Sequence, residues 1–529
     1  MHRYLLVLSV IMLLSAQVFA DDDLPVIEVR ADRTMIYPQR MELTGEETLM
    51  DILQMFSELM IAGYEDVLAG YNLRIDNCPF NGDTKLIISQ MKARDIAQIH
   101  VCDNAGVAKG VVGMNKVLDI NMQMPDTLQG FVEGQGGFGS EMAGIATVNA
   151  LYGSKSTDLY ANASYRHQSG NSQYLTLHMT NRFNRRNRLL TYFTQQYLNV
   201  MSLASRKIMG RARYYHTFND RGTELLLVGS YQYASDPLLS NKLPMYIVEL
   251  NTPLFCKQLS MLVGAEGDFL MTREKDSRRS WNAFNQDVYL QFTLSLPKWK
   301  MTVGNRLIIF NYKVMEDARS QRYTDIRDNV NACVIYTPDK RNQIQLGYYR
   351  KYYDPLHTAL FMEAVSLSDW EWAITKGELE ERDINQVKLG YAYSRKKLTV
   401  QANASYYAIE GSENFTELAA SASWKTNKIS LTGGTNLYIA KSGTYAAFRL
   451  APTAYLPHDW QIGMQMVYYT ANSPKRTATG VPVYGCLSIN KQFGRKWNIG
   501  VDWHDMIDPL CSKATINRHA ANIKLQYRF

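Results

Sequence analysis

Beyond residue 20 the chain has no long uninterrupted apolar run. A helix needs about 20 consecutive apolar residues to cross a bilayer, so helical membrane spans are excluded. Histidine is scarce, nine in 529 residues, and the six cysteines show no metal-ligand spacing, so no metal site is expected. Charge of one sign is lacking too. Lys and Arg number 57 against 50 Asp and Glu, a formal net charge of +7. The basic residues form no stripe interleaved with aromatics, which excludes a nucleic-acid surface. No cofactor motif is present. Asp502 and His504 share one strand face, but no serine in a recognisable motif joins them, so the chain does not read as an enzyme.

What is present starts at the first residues. His2-Arg3 is a short basic start, residues 5–14 are a compact apolar run, and Val18-Phe19-Ala20 precedes Asp21-Asp22-Asp23. This pattern predicts a secretory signal peptide over residues 1–20, cut after Ala20. The other end reads Ile523-Lys524-Leu525-Gln526-Tyr527-Arg528-Phe529, alternating strictly and stopping on an aromatic carboxyl terminus. That is the ending of an outer-membrane β-barrel, and Tyr527 and Phe529 are its expected signal to the barrel-assembly machinery. A chain in lipid without spanning helices must be a closed barrel, because only those two structures satisfy every backbone group. The 34 Tyr and 8 Trp suit the aromatic girdles of such a barrel.

From residue 125 to 529 amphipathic segments follow one another. Leu398, Val400, Ala402, Ala404 and Tyr406 alternate with Thr399, Gln401, Asn403, Ser405 and Tyr407. Trp497, Ile499, Val501 and Trp503 alternate with Asn498, Gly500, Asp502 and His504, and Leu175, Leu177 and Met179 with Thr176 and His178. Period two with one apolar face predicts strands with lipid on one side and a polar lumen on the other. Counting back from Phe529 gives about 22 strands. Alternate gaps are short and hairpin-like, for example Phe493-Gly494-Arg495, Leu456-Pro457-His458-Asp459 and Lys425-Thr426-Asn427-Lys428. These are expected on the periplasmic side, and longer gaps such as 271–280 and 471–480 on the outside. The longest, 354–383, carries Trp370 and Trp372 as candidate ligand contacts, and fits equally a loop that simply folds inward over the barrel mouth. Arg211 and Arg213 should face the lumen. They fit an anion path or, as buried wall charges favour, pairing with carboxylates of a plug.

Residues 21–124 do not alternate. Residues 48–56 place apolar residues at helical spacing. Short apolar segments follow at Leu73-Arg74-Ile75, Leu86-Ile87-Ile88, Ile96 to Val101 and Val117-Leu118-Asp119-Ile120, with glycines from Gly106 to Gly113. This predicts a small α/β domain of about 100 residues. Cys78 and Cys102 fall on neighbouring predicted strands of it, a disulfide candidate in an oxidising compartment. A barrel of about 22 strands has a lumen that leaks unless filled, so the domain is expected to be its plug.

These segments resemble TonB-dependent outer-membrane receptors of the Bacteroidetes type. Residues 48–56 are similar to the first plug helix of that family. Leu73-Arg74-Ile75-Asp76-Asn77 resembles the strand that in the family ends in Ile-Asp-Gly, and residues 91–101 its helix-to-strand segment. Residues 374–381 followed by 385–391 resemble the run before a mid-barrel strand, with both usual prolines lost. Glu58-Leu59-Met60-Ile61 stands where the family has Pro-Gly-Val. The resemblance implies a location in the outer membrane of a Gram-negative cell, among its lipids. It implies a small-molecule or oligomeric ligand and energy delivered by TonB. TonB pairs as an added strand with an N-terminal segment, for which Val26, Ile27, Glu28 and Val29 are candidates. The same residues also fit a structural first strand. The expected function is import of a metal chelate, cofactor or oligosaccharide. The alternative is a passive or structural barrel whose plug is no longer driven.

Overall fold

The structure, a computed structural model, describes residues 25–529 except 31–32, 44–46, 57–70, 81–86, 89–90, 103–115, 140–143, 354–381, 474–482, 505–519 and a few positions in turns and tight connections. The expected leader and acidic start, and the outer loop bearing Trp370 and Trp372, lie outside the described residues.

Twenty-two strands, β7 (Gln129–Gly139) to β28 (Ala520–Arg528), form one closed antiparallel barrel. Each pairs with its sequence neighbours, and β28 closes on β7 with Tyr527 opposite Val132 and Arg528 opposite Phe131. This is the strand count and architecture expected from the alternation. Closure matters because an open edge leaves a row of unpaired backbone groups.

The two registers of the alternation are the two faces of the wall. Trp497, Ile499, Val501 and Trp503 of β27 (Trp497–His504) are exposed on the outside, as are Leu177 and Met179 of β10 (Gly170–Arg182). Thr399, Gln401, Ser405 and Tyr407 of β21 (Leu398–Ile409) are buried on the lumen side. Trp299, Trp424, Trp460 and Trp497 ring the outer surface at the end where the chain terminates, here called the inner end. Tyr165, Tyr406, Tyr468 and Trp503 ring it at the opposite, outer end. Rings at both borders of an apolar band are what lipid headgroups select.

The inner connections are short, as the hairpin residues predicted. The outer ones depart from expectation. Strand β15 (Leu259–Glu274) runs into the gap predicted at 271–280, as far as Glu274. Several outer connections are as tight as the inner ones, such as Val200 to Leu203 and Ala440 to Gly443. The reason is that strands extend past the apolar band. There both faces are wet, alternation fades, and paired residues look like loop. The longest strands, β17 (Trp299–Glu316) and β18 (Arg319–Tyr336), show this most.

The front domain is a separate six-stranded sheet. Its strands are β1 (Ile27–Val29), β2 (Thr34–Ile36), β3 (Tyr71–Ile75), β4 (Cys78–Pro79), β5 (Ile96–Cys102) and β6 (Lys116–Met122), in the order β1-β2-β5-β6-β3-β4. Only β3 and β6 run parallel. Helix α1 (Leu49–Leu53) is shorter than the predicted span, with Met55 and Phe56 buried in the turn after it. Ile87 and Ile88 of the apolar segment are helical and buried. Ile36, Leu49, Leu53, Phe56, Ile99 and Leu118 belong to one core, which continues into Leu151, Tyr160 and Ala392 of the barrel wall.

The two cysteines of the disulfide candidate are not on neighbouring strands. Cys78 is on β4 and Cys102 on β5, with β3 and β6 between them. Three inter-strand steps amount to ~14 Å, twice what a disulfide spans. The sequence order placed the strands side by side, and the crossover into β3 and β6 separates them.

The same domain touches β10 through His178, β20 (Arg382–Arg395) through Ser394 and β22 (Phe415–Lys425) through Lys425. Strands β10 and β20 stand on opposite walls. A body that reaches both sits in the lumen.

Candidate functional site: the seat of the plug

The residues Val26, Ile27, Glu28 and Val29 form β1 and the turn before it, at one edge of the plug sheet. Ile27 pairs with Ile36 and Val29 with Thr34 of β2. Tyr37 N donates to Val26 O (2.9 Å) and Arg30 N to Arg33 O (2.7 Å), which sets the amides of Ile27 and Val29 facing away from β2. Those amides are not left open. Ile27 N donates to Ser394 Oγ at 2.9 Å, Val26 N to the same oxygen at 2.6 Å, and Val29 N to Gln343 Oε1. Gln343 belongs to β19 (Asn342–Tyr353). Val26 and Ile27 are almost fully buried. The edge that an added strand would need is thus held by two polar side chains of the barrel wall.

Glu28 keeps the segment in place from its other side. Its carboxylate accepts from Arg30 Nε and Tyr37 OH, each at 2.8 Å. Burial pushes its pKa up, but the hydrogen bonds from Arg30 and Tyr37 and the charges of Arg30 and Lys300 outweigh burial and hold it below the ordinary 4.5.

A second contact joins Glu47, two residues before α1, to the wall. Lys425 Nζ, at the inner end of β22, pairs with Glu47 Oε1. The two side chains are 6% and 1% exposed, so the pair is sealed from water. Tyr455 OH donates to the same carboxylate oxygen at 3.3 Å, and the Lys425 ammonium lies 4.7 Å from the Tyr455 ring centre. Lys425 was expected in a turn. Instead it is the last lumen-facing residue of β22, after Ser421 and Ser423 on the same face.

A third contact lies at the turn after β3. Asp76 adopts φ 49°, accepts from Met122 N at 3.0 Å, and donates its own amide to Ile120 O at 2.9 Å. Its other oxygen lies 3.1 Å from Nδ1 of buried His178. Aspartate tolerates this left-handed backbone better than most residues, and its position places a carboxylate against the wall.

Arg211 and Arg213 of β12 (Leu203–Thr217) do face the lumen and are buried. The wall also neutralises charge within itself. Arg306 Nη2 meets Glu266 Oε2 at 2.7 Å and pairs with Asp287 across neighbouring strands. At the closing seam, Tyr527 packs its ring 4.7 Å from Trp497, and Phe529 exchanges backbone hydrogen bonds with Gly130 at 3.1 and 3.3 Å. The pairing partners Ser394, Gln343, Glu47, Lys425 and His178 were not singled out from sequence. A lone polar residue on a lumen face looks like every other until the plug is placed.

No family model and no curated protein matches the chain. Solved structures do share its fold. The siderophore receptor PirA from Pseudomonas aeruginosa superposes with a TM-score of 0.67 at 13% identity, over 95% of this chain and 100% of that one. The alcaligin outer-membrane receptor FauA from Bordetella pertussis gives 0.66 at 11% identity, over 95% of each chain. The ferric citrate transporter FecA in its unliganded form gives 0.68 at 12% identity, over 95% and 98%. At such identities the likeness is one of fold alone.

Proposed function

We propose that this protein is a TonB-dependent receptor of a Gram-negative outer membrane, of the Bacteroidetes type, importing a scarce or bulky nutrient. The observation that carries the reading is a folded domain seated inside a closed 22-strand barrel and tied to it by side-chain contacts on several walls. A filled lumen passes nothing by diffusion, so transport requires the plug to shift. The outer membrane holds no ATP, and force has to arrive from the inner membrane through the N-terminal end of the plug.

The hold on β1 suits that mechanism. Three amides rest on two wall side chains, Ser394 and Gln343. Each such hydrogen bond contributes about 1 kcal/mol net, so a pull from the N-terminus detaches them in turn. Once detached, the Ile27 and Val29 amides are an open edge for an added strand. The expected leader over residues 1–20, its removal after Ala20, and assembly through Tyr527 and Phe529 belong to the same reading.

The covered edge also favours a second reading, a plug that is never driven. Uptake of ferric chelates and of oligosaccharides into producing cells, with TonB present or deleted, separates the two. Energised import requires accumulation only when TonB is present. Accumulation that is indifferent to TonB sinks it in favour of a passive barrel.

A further inference from the structure

The outer mouth of the lumen carries a cluster of aromatic and polar side chains apart from the three contacts described above. It lies on four adjacent strands: β21, β22, β23 (Ile429–Ala440) and β24 (Gly443–Leu456). Register puts Tyr407 opposite Phe415, Glu417 opposite Tyr438, and Tyr438 opposite Tyr445. All five share the lumen face with buried Ser421, Ser423 and Thr432. Tyr407 stacks on Phe415 at 4.5 Å and 17°, and Tyr438 on Tyr445 at 4.8 Å and 21°. Phe415 and Tyr438 lie 6.5 Å apart and join the two stacks.

Glu417 sits among these rings. Tyr438 OH donates to Oε1 at 3.1 Å and Tyr407 OH to Oε2 at 3.4 Å. Among the described residues its hydrogen-bond partners are these two phenols. Gln386 Nε2 reaches Tyr407 OH at 3.0 Å. One residue pair deeper, Asn436 stands between Ala419 and Ala447. It is 3% exposed, and neither its amide oxygen nor its amide nitrogen has a partner among the described residues. A buried amide without partners is costly, and native structures keep few such groups without a use. Above the rings, the tight connections between these strands leave an open pocket of about 650 Å³ lined by Ser412, Glu413, Asn414, Lys441 and Ser442.

We infer that this sector of the mouth binds a neutral saccharide. A sugar presents C–H faces that pack on aromatic rings and hydroxyls that both donate and accept. Glu417 accepts from a hydroxyl, and the Asn436 amide both donates and accepts. A carboxylate held by phenols opposes an anionic metal chelate, which needs cationic partners. A purely cationic ligand leaves the amide donor of Asn436 unmet. The inference rests on the reading of this barrel as a receptor with its ligand entering from the outer end, and it names the ligand class.

The experiment uses the purified full-length protein in detergent and linear neutral hexasaccharides: an α-1,4-glucan, a β-1,4-glucan and a β-mannan. Binding is read by saturation-transfer NMR and titration, with a ferric catecholate and a ferric hydroxamate as competing classes. At least one hexasaccharide is expected to bind, and Phe415→Leu, Glu417→Gln and Asn436→Leu each to weaken it about tenfold, with the folded barrel retained on gels. Asn436→Leu keeps the side-chain bulk and removes both amide atoms, so a merely structural Asn436 leaves affinity unchanged. No binding by any of the three glycans overturns the inference. So does undiminished binding in all three variants, or preferential binding of a ferric chelate that is lost in Phe415→Leu. Binding without energised uptake overturns only the transport reading, because the measurement on purified protein involves no TonB.

Discussion

Single side chains decide how firmly the plug is seated. Ser394 Oγ serves two backbone amides at once. Ser394→Ala removes both, and amide exchange at Val26 and Ile27 should rise about tenfold, the equivalent of ~1.4 kcal/mol. Unchanged exchange by mass spectrometry would show that β2 alone holds the strand. The Glu47–Lys425 pair is a stronger contact because it is buried. Taking one charge from a buried pair leaves the other uncompensated, at a cost of about 3–5 kcal/mol. Lys425→Met should therefore lower the urea midpoint of the plug markedly, while Glu47→Leu combined with Lys425→Met recovers most of it. A double variant as weak as the single one contradicts the pairing. Glu28 gives a pH dependence of known sign. Its folded pKa lies below 4.5, so its contribution is complete above that value and disappears as pH falls through the folded one. Glu28→Gln should thus be less stable than the natural protein at pH 7, and the difference should close in acid. A gap that stays constant with pH refutes the assignment.

At the scale of elements, the closing seam depends on one glycine. A Cβ on Gly130 would stand 2.2 Å from the backbone oxygen of Asn149 and 2.7 Å from the Phe529 ring. The backbone oxygen belongs to β8 (Gly144–Gly153), which is paired on both sides and cannot give way. Gly130→Val should cut the yield of the heat-modifiable folded barrel severalfold. Gly134→Ala on the same strand meets nothing within 4 Å and should be tolerated. Equal yields from the two variants would separate closure from the packing of Phe529. The plug sheet makes the corresponding point about topology. Its β3–β6 pair is parallel and joins two antiparallel hairpins, so β4 and β5, consecutive along the chain, lie three steps apart.

At the scale of the whole molecule, width sets the need for a plug. A barrel of this strand number encloses an aqueous channel unless something fills it. The full-length protein should be electrically silent in a planar bilayer, and the barrel without residues 25–124 should conduct as a wide pore. A silent truncated barrel would mean that another part of the chain closes the lumen.

The barrel was legible in the sequence because its signal is local and repeated. Each strand writes its two environments into alternate residues, so Trp497, Ile499, Val501 and Trp503 announce the outer face before any fold is known. The terminal Phe529 marks the seam and the direction of the count. The presence of a front domain was legible as well, since alternation stops there. Local patterns carry no information on which distant groups meet. Ser394 is an ordinary serine near the end of a strand, and Lys425 looked like part of a turn. Each acquires its role only when a separately folded sheet is set against the lumen wall, 368 residues away along the chain for Val26 and Ser394. Tyr407, Phe415, Glu417 and Tyr438 are spread over three strands, and the register of two hairpins brings them side by side. Periodicity along one strand determined the wall, and the meeting of strands with the plug and with one another determined the sites.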